Sequence, residues 1–194
     1  MLTTRTRSRP PAASAGYPLT KGELRDQLAF FGMVGVCVWF WDSWILWPLK
    51  MAVVAVHELG HALMTWVTGG SVVGFGLWID QSGHVLSQGG NRFLILNAGY
   101  LGSLLFGVLL LGLLRRPSTL RNTRARLLAW AGRFFGMFSV LYAFIDIRDD
   151  VLFGVGRSDA SMLAELTGVP GLLWGLVWCG VGAWLVWRLR RWLI

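Results

Sequence analysis

The chain has 194 residues, of which 55% are hydrophobic and only 14% charged, and its mean hydropathy is +0.55. Soluble domains carry about one quarter charged residues, so this composition excludes an ordinary water-soluble fold and describes a single domain that lives in a membrane. The net charge of +8 does not indicate nucleic-acid binding, because the arginines flank apolar runs, where they set topology and meet lipid headgroups.

Residues 1–26 include TRTRSRPPAASAG, which is polar, basic and broken by proline, and they are expected to form a flexible tail ahead of a polytopic domain over 27–194. The tail does not read as a cleaved signal. The apolar run that follows starts only near Leu28, exceeds the length of a signal core and is followed by no clear small-x-small site. Five apolar segments come next, at 28–49, 51–67, 93–114, 127–145 and 172–187. A crossing helix needs about 20 residues, so the third and fourth meet the requirement, the second and fifth are short, and Asp42 weakens the first. Pro48 and Lys50 separate the first two so closely that these should form a hairpin or a broken helix. The expected fold class is therefore an all-α integral membrane protein with about five membrane helices.

Smaller signals fill in this outline. Trp39, Trp41, Trp44 and Trp47 crowd one end of the first run, as interfacial anchors do. Between the second and third segments, 72–80 is β-prone and Gln81-Ser82-Gly83 reads as a turn, which predicts a small β-hairpin with His84 as a loop residue. Gly132 and Gly136 have the small-xxx-small spacing that lets helices approach. Cys37 and Cys179 sit in apolar runs and form neither a disulfide framework nor a CxxC pair. The loop 115–126, with five arginines, and the end of the chain, with Arg188, Arg190 and Arg191, both read as cytoplasmic, which leaves the acidic stretch 146–165 outside. Five crossings would then put the basic tail outside, against the same rule.

The stretch VVAVHELGHALM, 53–64, places three ionisable groups in the middle of an apolar segment. Such groups are costly in hydrocarbon unless paired or bound to a metal. In a helix His57 and His61 share one face and can aim imidazole nitrogens at one ion, while Glu58 stands beside them to take a proton from water. The alternative reading is a buried hydrogen-bonded cluster.

HELGH in a membrane helix, followed by NAGYLG at 97–102, DIRDD at 146–150 and SDA at 158–160, resembles the site-2 protease class of intramembrane zinc metallopeptidases, most closely its B-like subgroup. The resemblance runs from about Met51 to the end of the chain. It implies a zinc cofactor, a membrane-embedded protein as substrate, a hairpin dipping toward the site and residence in the plasma membrane of a bacterium. Well-studied members have Pro after NAG and an LDG motif that supplies the third ligand; here Tyr100 takes the place of the Pro and there is no LDG. Asp146, at the end of the fourth apolar segment and at a separation similar to the family's, is the expected third ligand, with Asp150 one helical turn later in reserve and Asp149 less well aligned. Asp159 reads as the N-cap of a short helix over 160–167. Asn97 heads an apolar helix, where its amide would cap backbone groups or steady a substrate carbonyl oxygen.

Three functions fit these features: an intramembrane zinc peptidase with Glu58 as its base, a catalytically silent zinc-binding homologue, and a carrier or channel lined by intramembrane His and Asp. Only the first needs Glu58 as well as both histidines, and the third would more usually show paired broken helices in matching halves. The expected partners are a membrane-protein substrate and the lipid bilayer, without nucleic acid, and the oligomeric state is open.

Overall fold

Asn91 opens the most apolar element of the chain: its side chain accepts a hydrogen bond from the Leu94 amide, and the helix that follows carries no charge after Arg92 and no proline. In the computed structural model, which describes residues 20–114, 117–153 and 157–193, this is the third of six helices. In chain order the elements are α1 (Lys21–Trp39), α2 (Trp47–Val67), β1 (Ser71–Leu77), β2 (Gly83–Gln88), α3 (Arg92–Leu113), α4 (Thr123–Leu152), α5 (Asp159–Thr167) and α6 (Gly171–Leu193), with single 3-10 turns at Trp44–Leu46 and Pro117–Thr119.

The all-helical membrane architecture with one small hairpin is what the structure has, but its spans are fewer than the five apolar segments. α3, α4 and the 171–188 part of α6 are each long and apolar enough to cross a bilayer, whereas Leu24–Trp39 and Trp44–Val67 qualify only as a pair bent by 118°. The break falls at 40–43, inside the expected first segment, where Ser43 accepts a hydrogen bond from the Ile45 amide. Pro48 does not separate the segments. It lies in the first turn of α2, where a missing N–H leaves nothing unpaired. Lys21–Asp26 belong to α1, so the helix starts inside the expected flexible tail, while 1–19 lie outside the described residues.

α3 is the hub, packed against α2, α4 and α6, with Leu104 and Val108 fully buried. Glycines set its two closest crossings. A methyl on Gly60 of α2 would overlap the Ala98 carbonyl, and one on Gly107 of α3 would stand 2.6 Å from the Gly136 carbonyl oxygen of α4. Gly136 thus acts as its spacing predicts, while Gly132 faces the Leu114 side chain. Beside this seam, Arg133 of α4 is buried and donates to the Leu111 and Leu114 carbonyls, satisfying acceptors that the end of α3 leaves unpaired and complementing its dipole. The opposite surface is apolar and exposed, with Leu109, Leu113, Leu176, Trp184 and Trp187 turned outward as a lipid-facing protein requires.

The hairpin pairs Ser71 with Gln88 at its root and Leu77 with Gly83 near its tip, with one irregularity between Val72 and Gly74. Both strands pack on α2, and the Trp47 indole N–H donates to the Ile79 carbonyl at 2.7 Å, so the tip is tied to the start of the helix whose end feeds the root. His84 lies within β2, opposite Gly76, and not in a loop as expected.

Candidate active site

α2 stays helical through HELGH, so His57 and His61 stand one turn apart with their Nε2 atoms 3.0 Å from each other. A carboxylate oxygen closes the triangle: Asp159 Oδ2 is 3.2 Å from His57 Nε2 and 3.1 Å from His61 Nε2. Room for the two imidazoles comes from Gly99 of α3, where a methyl would overlap the His57 and stand 2.6 Å from the His61 Nε2. His61 Nδ1 is 2.7 Å from the Ile95 carbonyl oxygen. A carbonyl can only accept, so Nδ1 carries the hydrogen and Nε2 turns its lone pair toward the centre of the triangle.

This donor set suits a metal ion. Tetrahedral zinc with bonds of about 2.0–2.1 Å holds its ligand atoms about 3.3 Å apart, close to the three edges seen here, and two imidazoles with one carboxylate form a common catalytic set. Among the described residues, His57, His61 and Asp159 are the group able to hold such an ion.

The carboxylate at the imidazoles is Asp159 and not the expected Asp146. The reason is local. Ser158 and Ser161 cap α5 reciprocally, the Ser161 hydroxyl accepting from the Ser158 amide at 2.9 Å and the Ser158 hydroxyl from the Ser161 amide at 3.3 Å. Ser158 is therefore the N-cap assigned from sequence to Asp159, and Asp159, the first residue of α5, is free to turn inward. Burial alone would raise its carboxyl, but the two imidazoles beside it hold it below the usual carboxylate range, at about 2.

A cavity of about 410 Å³ opens on this triangle and is lined also by Glu58, His84, Asp146 and Asp150. Asp146 thus lines the cavity but lies outside the group formed by His57, His61 and Asp159. Asp150 is engaged by the Tyr100 hydroxyl, and the Tyr100 ring stands edge-on to His57 with centroids 4.6 Å apart. Glu58 is buried at the cavity wall beneath the hairpin, where a methyl on Gly83 would come 2.6 Å from its Oε1. Asn97 is elsewhere. Its amide donates to the Phe93 carbonyl and accepts from the Trp178 indole, both at 2.8 Å, so it fastens α6 to α3 and neither caps the helix nor lines the cavity.

The family described as Peptidase M50B-like matches residues 30–123 and 118–189 of the chain. No curated protein and no solved structure matches it.

Proposed function

Because the chain belongs to the Peptidase M50B-like family, a membrane metallopeptidase type, we propose that it is a zinc-dependent peptidase that hydrolyses peptide bonds in membrane-embedded segments, acting in the plasma membrane of a bacterium. The single observation that carries this reading is the placement of Glu58 on the same cavity as the His57, His61 and Asp159 triangle. His57, His61 and Asp159 would hold the ion, and zinc bound there would supply a Lewis acid that lowers the pKa of water toward about 7.

The remaining work falls to the chain's own residues. Glu58 accepts a proton from the attacking water as the new C–O bond forms and the carbonyl π pair moves onto its oxygen. When the C–N bond breaks, the same proton passes from Glu58 to the departing nitrogen. Glu58 sits about 100° around the helix from His57, so it reaches the water without displacing a ligand. His61, held by the Ile95 carbonyl, keeps the tautomer this role needs. A membrane helix hides its peptide bonds, and the outer edge of the hairpin offers backbone groups on which an unwound segment can pair as an added strand.

The test compares wild type with Glu58→Gln at equal zinc occupancy, in liposomes, on a panel of single-span peptides. The expected result is cleavage by wild type and retained zinc with cleavage lost in the variant. Equal cleavage by both proteins overturns the mechanism, and no cleavage by a fully zinc-loaded wild type points to a silent zinc-binding homologue.

A further inference from the structure

The mechanism above leaves the developing negative charge on the carbonyl oxygen without a hydrogen-bond donor from the chain. Asn97, the residue expected for this task, is bound to Phe93 and Trp178. His84 lines the same cavity as Glu58, and a methyl on its neighbour Gly83 would stand 2.6 Å from the Glu58 Oε1. It is not part of the metal-holding cluster. Among the described residues no hydrogen bond engages either of its ring nitrogens.

The hairpin holds the His84 ring in a fixed plane. Its partner across the ladder is Gly76, and the ring stacks on Trp78 with centroids 4.6 Å apart and planes at 29°. A methyl on Gly76 would stand 2.8 Å from His84 Cε1 and 2.7 Å from Trp78 Cη2, so the absent side chain is what lets both rings lie over β1. A donor whose ring is positioned before the charge appears needs no reorganisation at the moment of reaction, which is where such groups act most strongly.

We propose that His84 is a catalytic residue whose free ring N–H donates to the carbonyl oxygen of the scissile peptide as that oxygen becomes negative. This rests on the peptidase reading. The step adds no bond and removes none, since the proton stays on His84 while the carbonyl π pair moves to oxygen.

Three variants separate the donor from the stacked ring. His84→Phe keeps a flat ring on Trp78 and removes the N–H, His84→Ala removes both, and His84→Gln restores a donor. With zinc content matched, kcat on a single-span peptide should fall by about 10²–10³ in His84→Phe and His84→Ala at nearly unchanged KM, and recover in part in His84→Gln. A phosphinic single-span peptide, which mimics the tetrahedral oxyanion, should bind wild type more tightly than the His84→Phe variant by a similar factor, while the plain peptide binds both alike. Wild-type kcat in His84→Phe, or equal phosphinic affinity in the two proteins, overturns the donor role and leaves the peptidase intact. A zinc-loaded wild type that neither cleaves the peptide nor prefers its phosphinic form overturns both.

Discussion

Asp159 is held by a helix start on one side and by two imidazoles on the other, so its loss and that of Asp146 should read out differently. Asp159→Ala leaves two ligands, and zinc affinity should drop by more than about 100-fold, since even changes outside the ligand set cost 10–100-fold. Asp146→Ala should retain near-stoichiometric zinc, because its carboxylate lies outside the cluster. Metal analysis after equilibration with a competing chelator checks both, and the reverse pattern would move the ligand role to Asp146. A second residue-scale prediction concerns space. Gly99→Ala puts a methyl against both imidazoles, so zinc binding should be lost while helical circular dichroism is kept. Full zinc occupancy in that variant would mean that the two helices are not held as tightly as Gly60 and Gly99 imply.

At the scale of elements, the start of α5 carries the one carboxylate of the His57, His61 and Asp159 group, and its cap should matter to the site. Ser158→Ala removes a hydrogen bond to the Ser161 amide, worth about 1 kcal/mol, and should weaken zinc binding by up to about tenfold without touching a ligand. Unchanged affinity would show that packing alone orients Asp159. This position also explains what the sequence could show. HELGH was legible because i and i+4 on a helix is a local rule, and the hairpin because β-prone residues run into Gln81-Ser82-Gly83. Asp159 was hidden because a serine and an aspartate stood side by side at a helix start and both are good caps. The hydroxyl three residues on, Ser161, was the available signal that the cap is Ser158. The bend at 40–43 was masked by Pro48, a stronger breaker in a helix interior but harmless in a first turn. That the α5 carboxylate and not the α4 one reaches α2 is a tertiary fact no local rule contains.

For the whole molecule, the bend between α1 and α2 bears on a conflict over orientation. Five crossings would separate the basic tail from the other basic segments. If the bent pair counts as one span, it and the three single helices give four, an even number that by the positive-inside rule would put the start of α1, the loop between α3 and α4 and the end of α6 on one side. α1 also touches the Pro117–Thr119 turn within that loop. Cysteines placed at Lys21 and Thr119 should therefore label from the same face of sealed vesicles, and one at Glu165 from the other. Labelling of Lys21 and Glu165 together would mean that the bent pair enters and leaves on one side without crossing.

The hairpin has a thermodynamic consequence of its own. A sheet of two strands leaves a row of backbone amides and carbonyls on each outer edge, and beside a membrane helix few water molecules are at hand to solvate them. Any chain that pairs with an edge removes that deficit, so occupancy and unfolding become linked equilibria: a peptide at 100 times its Kd should stabilise the fold by about 2.7 kcal/mol. Melting of the uncleaving Glu58→Gln protein should shift upward with a single-span peptide, and shift far less when alternate residues of that peptide are N-methylated and have no N–H to give. Equal shifts would mean that the occupant is held by its side chains, and that the hairpin edge remains unpaired even when the cavity is full.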